Sequence, residues 1–164
     1  MYLGLDLGTS SLKALLIDAE QRTVGSASAH LSVERPHSGW SEQDPDSWIT
    51  ATQAALSELA KTHSKELAGV RGIGLSGHMH GATMIDHDGT VIRPCILWND
   101  TRRETAAAEL ATAPQFRKLT GNIVFPGFTA PKIKWMQANE PEAFARIAKV
   151  LLPKDYLRLW LTGE

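Results

Sequence analysis

Three polar clusters in this chain carry residue types able to do chemistry, and the first stands at the start. An apolar run from Tyr2 to Leu7 holds Asp6 near its end; Gly8, Thr9, Ser10 and Ser11 follow as a small turn, and a second apolar run from Leu12 to Ile17 carries Lys13. A buried strand seldom ends in an unpaired carboxylate, because desolvating one is costly. Glycine and hydroxyl residues let backbone N–H groups approach an anion closely. Acid, turn amides, hydroxyls and an ammonium together describe a site for metal-bound phosphate. The alternative is a tight hairpin with a surface acid.

The second cluster is His78-Met79-His80, bracketed by Gly77 and Gly81. The flanking glycines predict a sharp bend at a strand end, where ligands of α/β sheets commonly bind. A histidine there can hydrogen-bond a sugar hydroxyl, and Met79 can line an apolar wall. Two histidines at i and i+2 share a strand face, so a metal is the other option, although no third ligand is evident. A loop with one hydrogen-bonded structural histidine is the plain alternative. The third cluster is Trp98-Asn99-Asp100-Thr101-Arg102-Arg103. A Trp face can pack the C–H side of a sugar while an amide and an acid hold hydroxyls. Asp100 or Thr101 can equally cap a following helix.

The elements that must position these clusters follow from periodicity. On the first strand Leu3, Leu5 and Leu7 share the packed face, while Tyr2, Gly4 and Asp6 share an open one. Short turns join strands Tyr2–Leu7, Leu12–Ile17 and Thr23–Val33 into a meander. Asp44 as N-cap and Pro45 at the first position open a helix with Trp48, Ala51, Ala55 and Leu59 on one face, ending near Lys61. Strands are expected at Val70–Ser76, Ala82–Ile85, Thr90–Ile92, Pro94–Trp98 and Val150–Leu152, with a hairpin turn at Asp86–Gly89. Helices are expected at Thr101–Ala113, Pro131–Asn139 and Pro141–Lys149, and Asp155 is expected to cap a closing helix. This order implies an α/β domain with a mixed sheet flanked by helices.

Gly72-Ile73-Gly74-Leu75-Ser76-Gly77 fits G-x-G-x-x-G. A dinucleotide site requires that motif to open a helix, and strand-like residues follow it here. Trp40-Ser41-Glu42-Gln43-Asp44 reads as an aromatic anchor before a helix cap. The 164 residues suffice for one medium domain with a real core. A formal net charge of −1 supplies no field for nucleic acid or acidic membrane. The single Cys95 excludes an intramolecular disulfide and, within an apolar run, reads as a buried structural thiol. No apolar segment spans a bilayer and no signal pattern is evident, so a cytoplasmic protein is expected.

Taken together, these residues resemble the FGGY family of carbohydrate kinases, closest to its xylulokinase branch. The matching stretches run, in family order, from Asp6 to Lys13, Gly39 to Pro45, Ser76 to Gly81 and Ile96 to Asp100. Further matches are Gly121-Asn122, Pro126 to Lys132 and Leu151 to Tyr156, and the segment Lys132 to Trp135 fits the family's first signature. The resemblance implies a ribonuclease H-like domain of the actin-like ATPase superfamily. It implies ATP and Mg2+ as cofactors and D-xylulose as a small-molecule substrate, with no nucleic-acid or membrane partner; homodimer formation is left open.

By the same resemblance Asp6 orients the magnesium ion, directly or through water. Gly8, Thr9, Ser10 and Lys13 belong to the phosphate side; Met79 and His80 contact the ketose; Trp98, Asn99 and Asp100 wall its pocket. Glycerol-specific relatives carry Arg-Glu where this chain has Met79-His80, and Tyr where it has Gly127; ribulose, gluconate and similar polyols stay open. Family members are about three times this length. Residues 1–164 would therefore be the first part of the sugar-side domain, with the general base and the adenosine pocket beyond residue 164 and this segment inactive alone. Rival readings are a non-catalytic actin-like binding module and a phosphoester hydrolase of the same superfamily.

Overall fold

Alternation along the first strands decides where the core lies. The computed structural model describes residues 1–102 and 104–164; Arg103, placed by sequence in the third cluster, lies outside the described residues. In chain order the elements are β1 (Tyr2–Leu7), β2 (Ser11–Ile17), β3 (Thr23–His30), β4 (Glu42–Gln43), α1 (Pro45–Ala68), β5 (Ile73–Gly77) and β6 (Thr83–Ile85). There follow β7 (Cys95–Ile96), α2 (Glu104–Thr112), α3 (Phe116–Thr120), α4 (Thr129–Asn139), α5 (Pro141–Ala145), β8 (Lys149–Leu151) and α6 (Pro153–Thr162). No helix of the described residues is long and apolar enough to cross a membrane.

The chain forms two compact units. The first comprises Met1–Val33, Asp44–His78 and Pro153–Glu164, and the second Glu34–Gln43 and Met79–Leu152. In the first unit a four-stranded sheet has the order β3-β2-β1-β5. The expected meander is present: β1 pairs antiparallel with β2, and β2 with β3. β5 then pairs parallel with β1, which makes the sheet mixed. Leu3, Leu5, Leu7, Leu12, Ala14 and Leu16 are buried on one side of it. Against that side lies α1, whose Trp48, Ala51, Ala55 and Leu59 form the expected buried stripe. Each fully buried leucine contributes about 1.5–3 kcal/mol of hydrophobic stabilisation.

Asp44 caps α1 as expected, its side chain accepting from the Asp46 N–H, with Pro45 in the first turn. The helix does not stop near Lys61. It kinks at His63 (φ −130°, ψ 36°) and continues to Ala68. Nothing between Lys61 and Ala68 is a strong breaker, and the first effective stop is Gly69, whose N–H closes on the Glu66 carbonyl.

In the second unit the short sheets β4-β7 and β6-β8 frame a core of Ala82, Met84 and Met136, packed by Ile92, Ile133 and Phe144. The Asp86–Gly89 turn forms, with the Asp86 N–H donating to Thr90 O and Gly89 at φ +80°. The expected strand at Thr90–Ile92 shrinks to one bridge, Ile85↔Val91, and the partner of β6 is the distant β8. The strand expected at Pro94–Trp98 keeps only Cys95–Ile96. The expected helix from Pro141 ends at Ala145, because Lys149 to Leu151 pair with β6 instead. Asp155 is not the cap of α6. It sits inside the first turn of a helix that begins at Pro153, and pairs with Lys154 at 2.6 Å. The helix α3 was not expected; its stop signal is Gly121 in the left-handed conformation, φ 65°.

Candidate functional site

Asp6 sits in the middle of a row. Its antiparallel register partner is Lys13 and its parallel partner is Ser76, so an ammonium, a carboxylate and a hydroxyl stand side by side on one sheet face. One step back along the same face, Gly4 pairs with Gly74. The two glycines leave bare backbone there, and the face forms a concavity of about 340 Å³ lined by Gly4, Asp6, Lys13, Gly74 and Ser76. A Cβ on Gly74 would meet nothing within 4 Å, and one on Gly4 only Leu15 atoms at 3.8 and 4.0 Å; side chains would occupy the hollow itself. Asp6 is exposed and, among the described residues, makes no ion pair. Its carboxylate keeps full capacity for a cation.

Gly8 plays a narrower part than its place in the sequence implied. Its N–H is engaged by the Ser11 carbonyl at 3.0 Å, closing the turn, so it is not aimed at a ligand. What Gly8 supplies is room: a Cβ there would lie 3.0 Å from the same oxygen. Thr9 and Ser10 form the bend beyond Asp6, and the Ser10 carbonyl is taken by the Leu31 N–H at 2.9 Å.

The bend at the second cluster is sharper than a loop requires. His80 has φ 63°, and the Gly81 N–H donates to the Met79 carbonyl at 2.8 Å, a three-residue turn centred on His80. A left-handed backbone costs a non-glycine residue about 1–3 kcal/mol and persists only where the surroundings impose it. Here they do. The His80 carbonyl accepts from Lys132 Nζ and from Thr129 Oγ1 (3.3 Å), both on α4. The imidazole stacks on Phe128, centroids 4.3 Å apart. Beside this pair opens a cavity of about 240 Å³, lined by His80, Phe128, Thr129, Asn122 and Ile123 among others. Burial, then the Lys132 charge, pulls the His80 pKa below its ordinary value and favours a neutral ring. Met79 is 54% exposed. His78 belongs to the first unit, where it is buried edge-on against Trp48 at 5.8 Å; it is the structural histidine of the pair. Among the described residues there is no group of three or more metal-ligating side chains.

The third cluster divides. Trp98 is 44% exposed. Gly127 abuts it, since a Cβ at Gly127 would lie 3.1 Å from the Trp98 carbonyl. The Gly127 carbonyl in turn accepts from Lys132 Nζ at 3.1 Å, so one ammonium ties the Trp98 neighbourhood to the His80 turn. Asp100 points the other way. It is buried, and its oxygens accept from the Ser41 N–H (2.7 Å), the Arg102 N–H (3.0 Å) and the Arg102 guanidinium (2.6 Å). Burial alone would raise its pKa, but the Arg102 and Ser41 bonds outweigh it and hold the group below its ordinary value. The expected contact of Asp100 with a ligand is therefore revised: it braces the loop that carries Trp98 and Asn99. Arg102 also pairs with Glu42 at 2.6 Å and lies 3.5 Å over the Trp40 ring, so Trp40 is the structural anchor expected of it. Glu42 further pairs with Arg93, which pairs with Glu140.

Two other sequence readings are settled. Residues 73–77 of the G-x-G-x-x-G stretch are strand β5 and open no helix. Cys95 is fully buried, and burial pushes its thiol up to about 12, which makes it inert. Lys132, Phe128 and Thr129 were assigned no role from sequence. A signal existed for the first: Lys132 is four residues from Met136, on the buried side of α4, where an ammonium is out of place unless held.

Comparison with known proteins identifies the family. A family model for the FGGY family of carbohydrate kinases, N-terminal domain, matches residues 1–164. The chain is 51% identical over 166 aligned residues to the xylulose kinase of Escherichia coli (strain K12), covering 100% of this chain and 34% of that protein. A solved "xyloylose kinase" from Brucella ovis superposes with TM-score 0.96 at 64% identity, covering 99% of this chain and 34% of that one. A xylulose kinase from Rhodospirillum rubrum superposes with TM-score 0.92 at 35% identity, with the same coverage. The chain thus spans about a third of the length of the curated relatives it matches. Its mixed sheet and flanking helices are those of the actin-like ATPase fold, and the chain belongs to the FGGY family of carbohydrate kinases.

Proposed function

We propose that the protein carrying this chain transfers the γ-phosphoryl group of ATP to a terminal hydroxyl of D-xylulose, giving D-xylulose 5-phosphate. Residues 1–164 are, in this reading, the first part of its sugar-side domain. The observation that carries the proposal is Asp6: an exposed carboxylate without an ion pair among the described residues, between Lys13 and Ser76, over a floor of two glycines. Similarity to xylulose kinases over the whole chain supports the choice of sugar.

The residues present fit magnesium, which takes hard oxygen ligands and is usually bound through one or two carboxylates plus substrate phosphates. Asp6 would hold it, and when bound it would neutralise charge on the phosphates. Lys13 faces the same hollow and supplies a further positive charge to phosphate oxygens. The glycine floor admits a phosphate chain close to the backbone. In the second unit, neutral His80 offers a ring nitrogen to a sugar hydroxyl, Met79 and the Trp98 face cover its apolar side, and Asn99 adds an amide. The base that takes the hydroxyl proton lies beyond residue 164 in this reading.

The test is ATP consumption by the full-length protein against a panel of D-xylulose, ribulose, gluconate and glycerol. Turnover that requires ketose and is fastest with D-xylulose supports the proposal. ATP consumption indifferent to sugar, or a preference for glycerol, overturns it.

A further inference from the structure

We propose that Lys132 is a positioning residue for the ketose: its buried ammonium holds the His80 turn in the left-handed conformation that presents the imidazole to the sugar. The inference rests on the function proposed above, because it deepens the role of His80 there.

Lys132 is fully buried on α4. A buried ammonium is costly unless its protons are received by acceptors. Two of those acceptors are main-chain carbonyls from different segments, His80 and Gly127. The His80 carbonyl is also the acceptor for Thr129 Oγ1, so two donors from one helix converge on one oxygen. Such convergence fixes the direction of a peptide plane, and at His80 that plane belongs to a residue with φ 63°. A non-glycine residue adopts a positive φ uncommonly. The carbonyl is drawn toward α4, and the ring stacks on Phe128 beside the 240 Å³ cavity. The Gly127 carbonyl ties the same ammonium to the segment against the Trp98 backbone. A hydrophobic residue of similar length would fill the space of Lys132 and remove its donor from both carbonyls, leaving the His80 carbonyl to Thr129 Oγ1 alone.

The test is a double-mutant cycle of Lys132→Met and His80→Ala in the full-length protein, reading KM for D-xylulose, KM for ATP and kcat. Each single variant is expected to raise the ketose KM on the order of tenfold, the loss of one good polar contact. ATP KM should move less than twofold. The double variant should be no worse than His80→Ala alone, because Lys132 acts through His80. If His80→Ala raises the ketose KM and Lys132→Met does not, or if the two effects multiply, the positioning role is overturned while the proposed function stands. If His80→Ala leaves the ketose KM unchanged, the assignment of His80 to the sugar fails, and the inference fails with it. Should Lys132→Met not fold, Lys132→Gln, which keeps an amide donor without the charge, enters the same cycle with the same readings.

Discussion

Asp6 and Lys13 stand opposite each other in the β1–β2 register, yet they do not close into an ion pair. On a bare sheet surface such neighbours would usually meet, but here both border a hollow floored by glycines. Replacing Asp6 by Asn keeps shape and removes charge. Ketose-dependent ATP consumption is expected to fall at least a hundredfold, while the melting temperature stays within a degree or two, because an exposed group without an ion-pair partner adds little to stability. Near-normal turnover would remove Asp6 from the phosphate side.

The floor itself is testable. Gly74 has no positive φ and open space around its added Cβ, so Gly74→Val should fold and be at least as stable as the parent, valine being the better strand residue. The new side chain fills the hollow beside Asp6, and the KM for ATP is expected to rise several-fold with the ketose KM unchanged. Unchanged ATP kinetics would show that the hollow receives no part of the nucleotide.

His80 sets a pH limit. Its pKa is held below the ordinary imidazole value of 6.5, first by burial and then by the Lys132 charge. The unfolded chain therefore takes up this proton at higher pH than the folded one. The stability contributed by the neutral ring is complete above 6.5 and is lost as pH falls through the depressed value. The ketose KM should stay level through pH 6.5 and rise only as pH falls through the depressed value of the folded protein, and the rise should vanish in His80→Ala. A pH profile identical in the two proteins would count against the assignment.

The sequence showed the first sheet well because its signals are local. Leucines alternate on β1, Asp44-Pro45 opens α1, and the turns joining the first strands are short. It also located the acid, the bend and the Trp98 loop. It could not show that Asp100 turns inward, because that depends on Arg102 and Ser41 meeting it in space. It likewise missed the pairing of β6 with β8 across more than sixty residues, and took the nearby Thr90–Ile92 as the natural partner. Lys132 escaped notice because its meaning lies in two carbonyls of other segments. The left-handed His80 was foreshadowed only by flanking glycines, neither of which is the residue that takes the unusual φ.

Arg102 joins Asp100, Glu42 and Trp40 within the second unit, and its side chain is 2% exposed. Arg102→Leu takes the guanidinium away from buried Asp100 and leaves Glu42 with Arg93 alone, and urea unfolding should show a loss of about 3–5 kcal/mol. Because the Asp100 pKa is depressed, its contribution is complete above about 3.8 and is lost as pH falls below that value. The variant should accordingly lose part of the parent's acid sensitivity. A loss below about 1 kcal/mol would mean that the charge contacts of Arg102 do no more than balance its desolvation.

Cys95 offers a simple check on packing. With a pKa pushed up to about 12 and no exposure, its thiol should stay silent toward a chromogenic disulfide reagent at pH 8 and react at once in denaturant. Rapid reaction of the native protein would show that the β4-β7 region opens readily.

The first unit is written in three separate stretches, and its last, Pro153–Glu164, contains the helix α6 that packs on α1 and β5. A nascent chain leaving the ribosome must therefore carry an unfinished sheet-and-helix body through the synthesis of everything from Met79 to Leu152. Its completion waits on closing that long intervening loop, an entropic toll due before the final contacts form. A chaperone would find its substrate in that interval, and a stop codon shortly before Pro153 would release a chain whose β1, β2 and α1 are all present and whose cover is missing.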